Sequence, residues 1–208
     1  MFTIGLFNIF LFIRFVYNLT ICKVIIKHGI FNSDQLSSGK IKVYVGMKMK
    51  ITYRPIGIIH SPFKEPKGTP IQPFAAKDIE GMVEVFPQYE KGLKDIEGFS
   101  HIILIYHFHL SKSYSLEVVP FMDDKCHGLF TTRAPARPNP VGISVVRLIK
   151  VKENRLYIKD VDIVDGTPLL DIKPFVFEFD NPKVMKIGWL EKNIRKLPKS
   201  KDDGRFIK

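Results

Sequence analysis

The residues best able to do chemistry concentrate in a few short stretches, and the densest is Arg133-Ala-Pro-Ala-Arg-Pro-Asn-Pro-Val-Gly-Ile-Ser144. Pro135, Pro138 and Pro140 fix φ at about −65° and remove backbone donors, which excludes a sheet interior and predicts a stiff polyproline II strip. With a period of three, Arg133 and Asn139 share one edge, only the small Ala136 lies between them, and Arg137 points elsewhere. An Arg and an Asn presented together suit a carboxylate or phosphate beside a base edge. The plain alternative is a structural crossover whose arginines face solvent.

A second stretch, Asp165-Gly-Thr-Pro-Leu-Leu-Asp-Ile-Lys-Pro174, reads as a turn directly after a strand. Gly166 permits positive φ and Thr167, preceding Pro168, is held extended, so amides and a hydroxyl can face a ligand. An ordinary Asp-Gly turn is the alternative, with Asp165 and Asp171 solvated or orienting a polar group. Third, the run from Ser100 to His109 is apolar at its centre and therefore core. His107 and His109 sit two residues apart at its end, on one face, at a rim position beside a ligand. With six histidines and only Cys22 and Cys126, a metal site has no evident third and fourth ligand, and no metal is expected. His60, His101 and the Cys126-His127 pair read as satisfied structural residues. The chain shows no nucleophile motif, no GxGxxG, no P-loop and no internal repeat.

Positioning these residues falls to short strands. Thr52–His60, Gly81–Phe86, His101–His109, Gly142–Val151, Leu156–Val164 and Pro174–Phe179 are rich in β-branched or aromatic residues and bounded by Pro, Gly, Asn or Asp. Glu153-Asn154 between two alternating runs predicts a hairpin of Gly142–Val151 with Leu156–Val164, because Asn tolerates positive φ. Gln88–Leu93 and Trp189–Lys196 predict short helical turns. The fold class that follows is mainly β, a closed or nearly closed barrel with Pro/Gly-rich loops and not a Rossmann sheet.

Composition agrees with such a unit. The 208 residues are 45% hydrophobic, 12% aromatic and 25% charged, which excludes disorder, collagen-like repeats and a polytopic membrane protein. Thirty-two basic against 21 acidic residues give +11, a surface that attracts polyanions and makes nucleic acid the leading partner class. Two cysteines point to a reducing compartment, the cytoplasm. Residues 1–46 differ from the rest. Residues 1–22 are apolar with Arg14 as their only charge, long enough to span a bilayer, but a central arginine costs about 2.5–3.5 kcal/mol on insertion. Met47-Lys48-Met49-Lys50 resembles a chain start, so 1–46 is read as an N-terminal extension: translated upstream sequence, a membrane anchor or a docked element. Without it, 27 basic and 20 acidic residues remain, a net of +7, and a chain from Met47 is expected to keep every functional motif. The barrel domain is then 47–185 and residues 186–208 are a basic C-terminal tail.

The segments PIGIIHSPFKEP (55–66), GFSHIILIYHFH (98–109), TTRAPARPNPVGIS (131–144) and DGTPLLDIKPF (165–175) together resemble the TrmO-like, or TsaA-like, family over about residues 51–180. The resemblance implies a β-barrel methyltransferase dependent on S-adenosylmethionine. It would act on the exocyclic amine of threonylcarbamoyl-adenosine beside the tRNA anticodon, as a homodimer holding the cofactor near the subunit interface. By motif position it implies cofactor contacts at Pro70, Ile71, Gln72, His109, Leu110, Arg133, Ile143, Asp165, Gly166, Thr167 and Pro168. Ile71 departs from the pattern, since bacterial members often carry Arg there, and the longer bacterial C-terminal extension is not expected. Arg137 and Asn139 are the expected substrate contacts, with Arg137 for the threonyl carboxylate. Asp165 or Asp171 would take the acceptor's proton or orient its amide. A non-catalytic module binding S-adenosylmethionine or RNA would share every one of these motifs.

Overall fold

Strand β3 (His101–His107) alternates half-buried and buried residues along its whole length, and its inward set, Ile102, Leu104 and Tyr106, lies at the centre of the molecule. The same period of two, which sends alternate side chains to opposite faces, governs its neighbours. β1 (Gly57–His60) buries Ile59, β2 (Glu80–Val85) buries Val83 and Val85, and β6 (Val141–Lys152) buries Ser144 and Val146. β7 (Arg155–Lys159) contributes Leu156 and Ile158, and β8 (Thr167–Pro174) contributes Leu169. The six strands close in the order β1-β2-β7-β6-β3-β8, with every neighbouring pair antiparallel. Closure leaves the sheet without a free edge. Between β3 and β6, strands β4 (Glu117–Val118) and β5 (His127–Gly128) form a small separate sheet. This computed structural model describes residues 51–207; the 1–46 extension, with its apolar segment 1–22, lies outside the described residues. Among the described residues no helix is long and apolar enough to cross a membrane.

The mainly-β closed barrel is the architecture the sequence predicts, but several boundaries move. Pro174–Phe179 is not a strand. β8 runs through the stretch expected to be a loop and ends at Pro174, which has no N–H for a further ladder bond. Beyond it, helix α1 (Phe177–Asp180) forms a single turn, with the Asp180 carboxylate accepting from the Val176 amide at 2.8 Å. The sixth wall of the barrel is therefore the Thr167–Pro174 segment itself. Only Gly57–His60 of the first run joins the sheet, and β7 stops at Lys159 because Asp160 takes φ 69° and turns the chain. The β6–β7 hairpin forms as expected, although Glu153 and not Asn154 adopts positive φ. Asn154 is occupied otherwise, its amide donating to the Val85 carbonyl at 2.6 Å. Gln88–Leu93 lies within a 3-10 helix, Pro87–Leu93. The tail turn begins with helix α2 (Leu190–Asn193) and continues as 3-10 helix to Lys199.

Arg147 on β6 ties two tight turns together. Its guanidinium donates to Asp160 after β7 and to Asp78 before β2, both residues at positive φ, and Asp160 also accepts from the Asp78 amide at 2.8 Å. The hydrogen bond from Arg147 holds both carboxyls below the usual carboxylate range. Because the folded values are depressed, this contribution to stability is full above the ordinary carboxylate value, about 3.9, and fades as pH falls through the folded ones. Arg147→Met is expected to lower the melting temperature at pH 7, with the gap to wild type closing by pH 2.5. Melting curves at the two pH values check this.

Candidate functional site

The inward side chain at the end of β3 is Tyr106, and it faces Gly142 across the β3–β6 pair. A Cβ at Gly142 would lie 2.3 Å from the Tyr106 ring, so only glycine lets the ring pass across β6. Two residues on, Ser144 Oγ is 3.0 Å from the Tyr106 hydroxyl and donates to Asp162 Oδ1 at 2.7 Å. With the Ser144 proton committed to Asp162, Tyr106 donates to Ser144, giving a chain from phenol to hydroxyl to carboxyl. Burial pushes Asp162 up to about 7, while the Ser144 hydrogen bond and the charge of Arg133 pull the other way. Burial, reinforced by the Asp162 charge, also raises Tyr106.

Tyr106 and Asp162 line a cavity that opens to solvent. Its walls come from five places, one of them Pro135 of the proline-rich loop. Phe108, His109 and Leu110 follow β3; Ile163, Val164 and Thr167 lead into β8; Pro66 and Thr69 follow β1; Asp202, Phe206 and Ile207 belong to the C-terminal tail. The tail is fastened there by reciprocal bonds, Gly68 N–H to the Asp202 carbonyl at 2.7 Å and Asp202 N–H to the Thr69 carbonyl at 2.8 Å. Arg205 donates to the Val119 and Pro120 carbonyls, and Phe206 packs edge-on to Phe121 at 5.1 Å. Trp189 adds a bond to the Thr131 carbonyl and stacks on His127, whose Nε2 is 3.1 Å from Asp123.

The expected site residues fall into separate groups. His109, Leu110 and Thr167 line the cavity, with Thr167 Oγ1 3.4 Å from His109 Nδ1. Burial and the charge of His107 lower His109. His107 is not among the cavity-lining residues; β3 ends there and the chain turns, closed by Ser111 N–H to the Phe108 carbonyl. Gln72 and Arg133, 61 residues apart, meet when Arg133 Nη1 donates to Gln72 Oε1 at 2.7 Å. Pro70 is buried and its backbone bridges to Lys201 of the tail; Ile71 beside it is half-buried. Asp165 lies off the cavity wall, where it accepts from Lys64 at 2.7 Å and from the Ser61 amide at 3.1 Å. The Lys64 bond holds its carboxyl below the usual range. Gly166, at φ 75°, makes the turn into β8. Pro168 pairs with Ile58, and Ile143, half exposed, pairs with Ile105 on the outward side of β6.

Asp171 is not brought to this cavity. It is four residues along β8 from Thr167, about 13 Å at strand rise, in a different cleft beside Ile56 and Tyr89, paired with Lys173 at 2.8 Å. The proline-rich loop also departs from a continuous three-residue period. Arg137 N–H bonds to the Pro135 carbonyl and Val141 N–H to the Asn139 carbonyl, so two tight turns interrupt the strip. Arg137 folds back, donating to the Thr132 and Ala134 carbonyls, with its guanidinium over the Phe130 ring at 5.8 Å. Asn139 is exposed. His60, read as satisfied, has a buried Nε2 without a hydrogen bond and sits 3.5 Å from Asp165 and 3.6 Å from Glu84. Among the described residues no three His, Cys, Asp or Glu side chains converge to hold a metal ion.

Sequence reasoning missed Asp162, Ser144, Tyr106 and the tail. The only local signal was a lone carboxylate in the apolar run Val161–Val164.

Fold and cavity define an antiparallel β-barrel built to take a ligand at one end, lined by apolar side chains and a few convergent polar groups. Residues 58–181 match the tRNA-methyltransferase O N-terminal domain, and the chain belongs to that family. A probable S-adenosyl-L-methionine-binding protein of Pyrococcus abyssi is 68% identical over 161 residues, 77% of this chain and 88% of that one. The tRNA (adenine(37)-N6)-methyltransferase of Homo sapiens is 33% identical over 136 residues, 62% of this chain. The chain spans only 31% of that enzyme's length. The crystal structure of TrmO from Pseudomonas aeruginosa superposes with a TM-score of 0.58 at 36% identity, over 68% of this chain and 63% of that one. The family match ends at residue 181, so the tail that closes the cavity lies outside it.

Proposed function

We propose that the protein is an S-adenosylmethionine-dependent methyltransferase that modifies the exocyclic amine of threonylcarbamoyl-adenosine in tRNA, beside the anticodon. The observation that carries this reading is the cavity, which gathers His109, Leu110 and Thr167 in a member of this family, with Arg133 held close enough for its charge to act on Asp162. The residues present fit the cofactor. Phe108, Leu110 and Ile163 offer apolar walls, Arg133 suits a carboxylate, and the Asp162 carboxyl on the cavity wall suits a neighbouring positive charge. S-adenosylmethionine supplies an electrophilic methyl on a sulfonium. The protein's part is to align the acceptor with that methyl and exclude water. Gln72 fixes the Arg133 guanidinium, Asp165 anchors the Asp-Gly turn through Lys64 and Ser61, and the tail residues Phe206 and Ile207 shut out solvent.

Of the implied contacts only His109, Leu110 and Thr167 line the cavity; Ile143 and Pro168, on the barrel strands, become cofactor contacts in this reading where a second copy packs against this one. The protein acts as a homodimer in this reading, and Ile143→Glu is expected to shift it to monomer in analytical ultracentrifugation and to weaken cofactor binding with it.

The tRNA is drawn by basic surface charge, and selectivity comes from the modified base, with Asn139 and Arg137 as its contacts. Arg137 would leave its loop carbonyls for the threonyl carboxylate, a stronger, charge-assisted partner. Methyl transfer to transcripts with and without the threonylcarbamoyl group tests this. Wild type is expected to modify only the former, and Arg137→Ala to lose about 10-fold or more, the scale of one charge-assisted bond. Equal rates on both transcripts would remove the substrate assignment.

A further inference from the structure

The chain Tyr106–Ser144–Asp162 has no role among the family-implied contacts, yet it ends on the cavity wall. Resting on the methyltransferase reading, we propose that Asp162 is the catalytic base that takes the proton of the acceptor nitrogen during methyl transfer. Of the two carboxylates on the cavity, Asp162 and Asp202, it is the one joined through Ser144 to Tyr106, whereas Asp202 accepts from an amide of its own turn in the tail. Asp165 is off the cavity and tied to Lys64, and Asp171 lies in another cleft paired with Lys173.

The step balances. The acceptor N–H proton passes to the Asp162 carboxylate, the nitrogen lone pair forms the new N–C bond, and the methyl carbon's bond to sulfur breaks with its electron pair retained on sulfur as a neutral thioether. An ordinary carboxylate is too weak a base for an amide-like nitrogen; burial strengthens this one to a proton affinity matched to neutral pH. The charged and titratable groups around it are Tyr106 from β3, His109 from the following turn, Arg133 from the proline-rich loop and Asp202 from the tail. Tyr106 keeps its proton and His109 is pushed toward the neutral form, so Asp162 is the group that changes charge near neutrality. Ser144, donating to the carboxylate, favours its ionised form.

The experiment uses the full chain, S-adenosylmethionine and threonylcarbamoyl-modified tRNA, with single-turnover rates at saturating cofactor from pH 5.5 to 9. A carbon-13 NMR titration of the aspartate carboxyls runs alongside. Asp162→Asn is expected to slow the rate about 100-fold or more at saturation and to abolish the acid limb of the pH profile. It should also remove one carboxyl resonance that titrates near neutrality in wild type. Ser144→Ala, which keeps the carboxyl, is expected to move that limb and resonance to higher pH, and it decides the matter should Asp162→Asn fail to fold. Asp162→Asn with the wild-type rate and limb overturns the proposal, as does a limb that vanishes in His109→Gln but ignores Ser144→Ala. A wild type that binds S-adenosylmethionine yet transfers no methyl overturns the methyltransferase reading itself, a distinct result.

Discussion

Arg133→Ala is expected to weaken S-adenosylmethionine binding by about 1–3 kcal/mol, roughly 5- to 150-fold, the loss typical of a charge-assisted contact. The guanidinium is fixed from one side by Gln72 Oε1, which leaves its remaining donors for a ligand carboxylate. Arg133→Lys should recover only part of the loss, because an ammonium cannot hold Gln72 and a carboxylate in one planar fork. The same charge pulls Asp162 and Tyr106 toward lower values, so its removal should also push the Asp162 carboxyl further up. Calorimetric titration decides the first point, and an affinity equal to wild type would take Arg133 out of the site.

Asp162→Asn is expected to stabilise the protein above neutral pH. The folded carboxyl, at about 7, binds its proton more tightly than the unfolded one, which sits at about 3.9. Between those values the unfolded chain releases a proton that the native state keeps, so wild-type stability falls as pH rises through this window and levels off above it. A separation of about 3 units at 1.36 kcal/mol each sets an upper bound of about 4 kcal/mol. Asparagine carries no such proton, so the variant should unfold at higher denaturant than wild type at pH 8 and lose that advantage progressively as pH falls toward 4. A difference independent of pH would show that the carboxyl is not held near neutrality. Stability and catalysis oppose each other here: the burial that costs native stability is what makes the carboxyl a useful base.

Much of the barrel was legible from alternation alone, because in β3 and β6 the period of two decides which residues face the core. β8 was not. Pro168, Asp171 and Pro174 argue for a loop locally, but the Thr167–Pro174 segment pairs on both sides, with β1 and with β3, which would otherwise be left as free edges. Tertiary pairing overrode propensity. Arg133 stood out as a candidate from its loop, whereas its partner Gln72 lies 61 residues away and the spacing carried no hint of it. Asp162 was hidden for the same reason, since its burial and hydrogen bonds come from β3 and β6, distant in sequence. The expected polyproline strip failed where Arg137 and Val141 found carbonyls two residues back, a local bond that a period-of-three argument omits. The tail read as a charged appendage; its Phe206 and Ile207 only acquire meaning once the cavity they cover exists.

The proposed activity is methyl transfer to one nitrogen of one modified nucleoside. The most direct measurement incubates the protein with S-adenosylmethionine carrying a trideuterated methyl and with tRNA bearing threonylcarbamoyl-adenosine, then digests the tRNA and weighs the nucleosides. One labelled methyl is expected on threonylcarbamoyl-adenosine, located by fragmentation on its exocyclic nitrogen, and none on adenosine elsewhere in the tRNA. A label on another nucleoside, or tRNA recovered unlabelled from a protein that binds the cofactor, would contradict it.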